Sequence, residues 1–191
     1  NKLDLLIVDV KDGSSTNIFT ETDPAYIDIH DNLTFLNDGI NFIWTSEKSG
    51  YNHIYLYNIK GKQVRQLTKG DFDITDFYGV DESNDIVYFA SAERSAMQRD
   101  IYSIHLNGKR KKVLSNKPGT NSGTFSSNFK FFINQHSDAN SPHFYSLYNS
   151  QGKEIRTLKN NLVLRNTLSE FSLTKKKFFD FKTSKGTLLN G

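Results

Sequence analysis

Cysteine is absent from the 191-residue chain, proline occurs 3 times, and methionine and tryptophan once each. Without cysteine there is no disulfide, no thiolate nucleophile and no Cys-ligated zinc. The compartment is left open, since many exported proteins also lack cysteine. No run approaches the ~18 apolar residues that a spanning helix needs, so no membrane segment is expected. Charge of one sign is not in large excess either: the formal net charge is +3. Basic residues gather only at Lys109-Arg110-Lys111-Lys112 and Lys175-Lys176-Lys177. Each cluster lies beside a turn or a link and reads as a solvated loop. A nucleic-acid surface would need a stripe or patch, so no nucleic-acid partner is expected.

What is abundant suits strands. Phenylalanine (15) and tyrosine (9) bring the aromatic share to 13%, with 24% charged residues, an ordinary globular composition. The chain also repeats itself. Ile54-Tyr55-Leu56-Tyr57 returns as Ile101-Tyr102-Ser103-Ile104 and as Phe144-Tyr145-Ser146-Leu147. The triplets Phe42-Ile43-Trp44, Val87-Tyr88-Phe89 and Phe131-Phe132-Ile133 precede them, which makes Trp44, Phe89 and Ile133 equivalent and buried between blades. Turns follow at Gly61-Lys62, Gly108-Lys109 and Gly152-Lys153, so the glycines are 47 and 44 residues apart. A period of ~40–50 residues made of short strands and turns marks β-propeller blades.

The fold class expected is therefore all-β, a partial propeller of about three and a half four-stranded blades. Residues 1–24 match only the second half of a blade. Whole blades follow at 25–72, 73–118 and 119–160, and 161–191 are expected to hold a linker and the first strands of a different domain that starts near Lys175. The strands of the first whole blade are expected at 26–35, 41–46, 53–58 and 63–68; of the second at 74–80, 86–92, 100–106 and 112–115. Those of the third fall at 122–126, 130–135, 143–148 and 154–158. Asn161 is placed as the cap of a helix from 162 to about 170, followed by a hairpin around Ser184-Lys185-Gly186. The chain opens without an initiator Met, directly in a strand-like run, and so reads as a fragment cut from a longer one.

Chemistry-bearing residues are present without a catalytic pattern. His30, His53, His105, His136 and His143 form neither His-x-x-x-His nor His-Glu-x-x-His. Asp28, His30 and Asp31 are the densest ligand-like cluster, on or beside a first strand, but metal binding is not the reading adopted. Gly119-Thr120-Asn121-Ser122-Gly123 lacks the Lys-Ser/Thr ending of a phosphate-binding loop and reads as a connection between blades. Glu47 and Asp81-Glu82 fall in hairpin turns, as solvated carboxylates. Arg94 and Arg99 fall in a loop, where salt bridges are the expectation. No Gly-x-Ser-x-Gly elbow occurs. No catalytic residue, metal site or cofactor is assigned, and the substrate-binding residues are unknown.

The stretch from Trp44 to Tyr57, WTSEKSGYNHIYLY, resembles the propeller of the dipeptidyl peptidase IV family of serine peptidases, the bacterial members most closely. Gln66-Leu67-Thr68-Lys69-Gly70-Asp71-Phe72, Gly79-Val80-Asp81, the stretch 87–93 and Gly119-Thr120-Asn121 fit the same family. Phe178-Phe179-Asp180-Phe181 with 186–191 looks like the start of that family's α/β-hydrolase domain. The resemblance covers roughly residues 3–191. It implies a parent that removes N-terminal dipeptides with a Ser-Asp-His triad. No position of this chain matches the triad, the paired Glu residues that hold the substrate amine, or the assisting Arg, which would fall near Asp28–Asp31. What remains is a scaffold that gates peptide access by size. A periplasmic or cell-surface parent and peptide substrates follow as expectations from the resemblance; self-association of this chain is expected because an unclosed propeller leaves apolar faces at both ends. The alternative is a non-enzymatic propeller of an exported protein-binding protein, and a glycan-binding propeller, for which only the general aromatic content speaks, is a third option.

Overall fold

In the computed structural model, which describes residues 1–115 and 117–191, short antiparallel sheets follow one another along the chain. A two-stranded sheet comes first, β1 (Lys2–Val8) with β2 (Ser15–Thr22). The first whole blade holds β3 (Thr34–Phe35), β4 (Asn41–Ser46), β5 (His53–Asn58) and β6 (Gln63–Gln66) in sequential order. The second holds β7 (Ile74–Asp81), β8 (Ile86–Ser91), β9 (Asp100–His105) and β10 (Lys112–Val113). The third holds β11 (Thr120–Phe125), β12 (Phe131–Asp138), β13 (Ser141–Asn149) and β14 (Glu154–Lys159). A helix, α1 (Leu162–Glu170), and a hairpin of β15 (Asp180–Lys182) and β16 (Leu188–Asn190) come last. This is an all-β propeller arc, and it does not close on itself.

Strand alternation sends each blade's apolar residues to both faces, and the core lies between blades. Phe42, Trp44, Tyr55 and Tyr57 of the first whole blade pack against Leu3, Leu5 and Phe19 of the half blade. Its opposite face, with Ile43, Ile54 and Leu56, packs against Val87, Phe89, Tyr102 and Ile104 of the second. Tyr88 and Ile101 on the second blade's other face meet Phe132, Tyr148 and Phe125 of the third. The turn glycines sit at these contacts. A Cβ on Gly61 would lie 1.8 Å from the Ile18 carbonyl oxygen of β2, and its φ of 76° already favours glycine.

The expected register of the third blade is one residue out. Phe132 pairs with Tyr148 as Phe42 pairs with Tyr57 and Val87 with Ile104. Asn134, paired with Ser146, therefore stands where Trp44–Tyr55 and Phe89–Tyr102 stand, and Ile133 faces the other way. Trp44 and Phe89 are 4% and 0% exposed, whereas Ile133, on the third blade's outer face, is 37% exposed. A slip of one residue exchanges the faces of a whole strand. Hydrogen bonds offset part of the cost of two polar residues in a buried layer, while Asn134 Oδ1 is buried without a hydrogen-bond partner among the described residues. Asn134 Nδ2 donates to Asn121 Oδ1 at 2.9 Å, and Ser146 Oγ donates to Glu154 Oε1 at 2.7 Å.

Four further expectations change. The first strand at 26–35 shrinks to Thr34–Phe35, because side chains take over the backbone's partners upstream. The Asp23 carboxylate accepts from the amides of Ala25 and Tyr26, and His30 Nε2 lies 2.7 Å from the Thr45 carbonyl oxygen. Gly119–Gly123 is mostly strand: β11 starts at Thr120, where the Asn121 amide and side chain hold the Arg99 carbonyl at 2.9 and 3.0 Å. Asn161 does not cap α1 with its side chain. It adopts a left-handed φ of 50° and donates instead to the His143 carbonyl at 2.5 Å. The third blade's β12–β13 hairpin is longer than expected, running through Asp138 and Ser141. No helix is long and apolar enough to cross a membrane among the described residues.

Candidate functional site

The irregular path of residues 23–33 opens a crevice of about 230 Å³ between the half blade and the first whole blade. Glu21 and Asp23 reach it from the end of β2, Tyr26, Asp28 and His30 from the connection, and Glu47 and Lys48 from the β4–β5 hairpin. Its floor is ordered by Trp44. The indole packs on the His30 ring at 4.5 Å between centroids, and its Nε1 donates to Glu21 Oε1 at 3.3 Å. His30 is in turn tied to Thr45, and Asn32 Nδ2 donates to Thr45 Oγ1 at 3.0 Å.

Lys48 is the cation of this lining, and its ammonium is engaged. It donates to Tyr57 OH and, at 2.6 Å, to Gln63 Oε1, and lies 4.3 Å above the Tyr55 ring. Burial lowers its pKa, partly opposed by the Glu21 charge. Burial also raises the Tyr57 phenol to about 12, with the Glu21 charge adding to it. The tyrosine therefore stays protonated at neutral pH, buried in the interblade core beneath Lys48. Four carboxylates of the lining, Glu21, Asp23, Asp28 and Glu47, face one occupied ammonium, so the crevice is net acidic. It can accept hydrogen bonds and attract a cation, and within it Thr45 Oγ1 lies 3.2 Å from His30 Nε2.

Of the residues singled out in sequence, the structure brings Asp28, His30 and Glu47 together here. Asp31 is exposed and is not part of the lining. Glu21, Asp23, Tyr26 and Lys48 join them without any local signal, since they come from separate segments. The other candidates have structural partners. His53 is 1% exposed, with Nδ1 3.1 Å from Thr68 Oγ1 and Nε2 3.0 Å from the Gly70 carbonyl; burial lowers its pKa. His105 Nε2 lies 4.0 Å from Asp85, His136 Nε2 2.9 Å from the Pro118 carbonyl, and His143 Nδ1 3.1 Å from Gln135 Nε2.

Arg94 Nε lies 3.0 Å from Oδ2 of the buried Asp100, a charge contact whose angle falls outside hydrogen-bond geometry. Asp100 Oδ1 accepts from Ser115 Oγ at 2.7 Å. Arg99 Nη1 donates to the carbonyls of Ala96 and Gln98. Glu82 accepts from the Asn37 amide across the blade boundary at 2.6 Å, and Asp81 accepts from Asn84. Among the described residues no three His, Asp or Glu side chains converge as a metal site.

Four-stranded antiparallel sheets stacked face to face, with polar connections between them, define a propeller segment. A sequence model described as "Dipeptidyl peptidase IV (DPP IV) N-terminal region" matches residues 1–143, and the chain belongs to that family. It is similar to "Dipeptidyl peptidase 4" of Arthroderma otae, 29% identical over 194 aligned positions that cover 96% of this chain and 25% of the relative. The crystal structure of Porphyromonas gingivalis dipeptidyl peptidase 4 superposes with a TM-score of 0.91 at 37% identity, over 100% of this chain and 27% of that one. A putative dipeptidyl aminopeptidase IV from Bacteroides ovatus shares the fold, with a TM-score of 0.84 at 22% identity. The chain spans about a quarter of the length of these relatives.

Proposed function

We propose that the chain is a non-catalytic propeller segment of a serine exopeptidase that removes N-terminal dipeptides, and that it serves that enzyme as scaffold and size gate. The observation that carries this is the family match over residues 1–143 together with the superposition on a dipeptidyl peptidase 4 propeller. The physical fit is with a wall. Three blades are rigidified by continuous interblade cores, while the polar, irregular segment 23–33 faces a crevice where a first strand would otherwise run. Such a wall admits an extended peptide and excludes a folded chain by shape. The acidic lining favours the amino-terminal, cationic end of a peptide over its carboxylate end. The residues at 178–191 are the start of the hydrolase domain on this reading, and the parent works in the periplasm or at the cell surface.

The test uses the product of the complete reading frame that contains this chain. Rates of dipeptide release are measured on a ladder of peptides sharing one N-terminus, ending in the same peptide fused to a folded domain. A gate predicts release that falls steeply once the folded domain is too near the N-terminus. Equal rates on the free peptide and on the fusion would refute the gating role.

A further inference from the structure

The basic run Lys109–Lys112 reads as a solvated loop in sequence, but the fold gives it company from the neighbouring blade. The turn between β9 and β10 lies against β6, so that a Cβ on Gly108 would be 3.3 Å from Arg65 Cδ. Between the two outer blade edges runs an open groove of about 580 Å³. Its charged side chains are Arg65, Lys69, Lys109 and Lys111, and no carboxylate is among the residues that line it. Lys111 is neutralised by Glu93 at 2.5 Å and lies over Phe72 and Tyr102. Arg65, Lys69, Lys109 and the adjacent Arg110 are exposed, and none has a carboxylate within 4.0 Å among the described residues. Two blades thus bring three unpaired cations, Arg65, Lys69 and Lys109, to one groove, with Arg110 next to it in the chain.

We propose that this groove is a docking site for a linear sulfated polysaccharide. Several unpaired exposed cations along an open groove suit a polymer of anionic groups, whose bound counterions are released on contact. A single small anion would need buried, converging donors, which the groove lacks. The uncharged polar side chains of the lining that reach its surface, Gln66 and Asn107, offer amide groups that match sugar hydroxyls, whereas Thr68 is buried and bonded to His53 and the Ile54 amide. Single-stranded nucleic acid is disfavoured because base stacking needs exposed rings, and Phe72 (9% exposed) and Tyr102 (7%) are buried beneath Lys111.

The experiment is titration of the chain with a heparin dodecasaccharide at several salt concentrations, beside hyaluronan, a carboxylate-only polymer, and a 20-base-pair DNA duplex. Two charge-reversed doubles are compared: Arg65→Glu/Lys109→Glu in the groove, and Lys175→Glu/Lys177→Glu outside it, with the same change in net charge. The proposal expects heparin to bind most tightly of the three. The groove double should weaken it by at least about tenfold and lower the salt slope by about 2, while the outside double changes affinity less than about twofold. An Arg65→Gln/Lys109→Gln double guards against misfolding and should show the same ranking. Equal effects of the two reversed doubles, tighter binding of DNA or hyaluronan, or no heparin binding at physiological salt would each overturn it.

Discussion

Truncation of Trp44 to alanine probes the point on which the half blade depends. β1–β2 has only two strands, and its apolar contact with the rest of the chain is the cluster of Leu3, Leu5 and Phe19 on Phe42, Trp44, Tyr55 and Tyr57. Trp44 is 4% exposed, with the Phe19 ring edge-on at 5.7 Å and His30 at 4.5 Å. A buried Trp→Ala change costs about 3–5 kcal/mol, and the lost bond to Glu21 adds about 1 kcal/mol at most. For a chain of this size that lowers Tm by roughly 6–24 °C. Because the half blade loses its anchor first, hydrogen exchange should show β1 and β2 amides losing protection before those of β8 and β9. Ile133→Ala, at a site 37% exposed, should cost well under half as much. Urea denaturation followed by circular dichroism gives both numbers. A Trp44→Ala cost below about 1 kcal/mol, or an Ile133→Ala cost equal to it, would refute the interblade packing and the register derived from it.

The isolated chain should not hydrolyse a Gly-Pro chromogenic amide, because no position of its sequence matches the family's Ser-Asp-His triad or the paired Glu residues that hold the substrate amine; turnover that copurifies and survives a serine-reactive inhibitor would count against this. His53 carries a pH dependence. Burial lowers its folded pKa below the unfolded value near 6.5, so its contribution is fully present above that value and is lost as pH falls through the folded pKa. His53→Gln, which keeps a donor and an acceptor, should flatten that limb of the stability–pH curve, and an unchanged limb would assign it to another group. The third blade's outer face exposes Phe131 (44%), Ile133 (37%), Ile155 (49%) and Leu158 (43%), so the chain should self-associate. Light scattering across a concentration series checks this, with a strict monomer at high concentration as the contrary result.

The repeat was legible because each blade needs the same turn. Gly61, Gly108 and Gly152 each stand four residues after Tyr57, Ile104 and Tyr148, and that spacing also holds the correct register. Matching apolar runs instead favoured Phe131-Phe132-Ile133, because nothing local says that a buried slot filled by Trp44 and Phe89 will be filled by Asn134. Its partner Asn121 lies in another strand, so the compensation is visible only in three dimensions. The strand expected at 26–35 failed for a related reason: Asp23 and His30 satisfy backbone groups that a ladder would have used. The crevice was only partly legible. Asp28 and His30 are neighbours in sequence, but Glu21, Glu47 and Lys48 join them through pairing of strands far apart in the chain.

On the proposed function, this propeller segment belongs to an enzyme that trims dipeptides from peptide N-termini. The most direct measurement is mass spectrometry of a peptide with Pro at its second position, incubated with the product of the complete reading frame. Loss of mass in steps of one N-terminal dipeptide, blocked by a serine-reactive inhibitor, is the expected result. An intact peptide, or products cut from the interior or the carboxyl end, would contradict it.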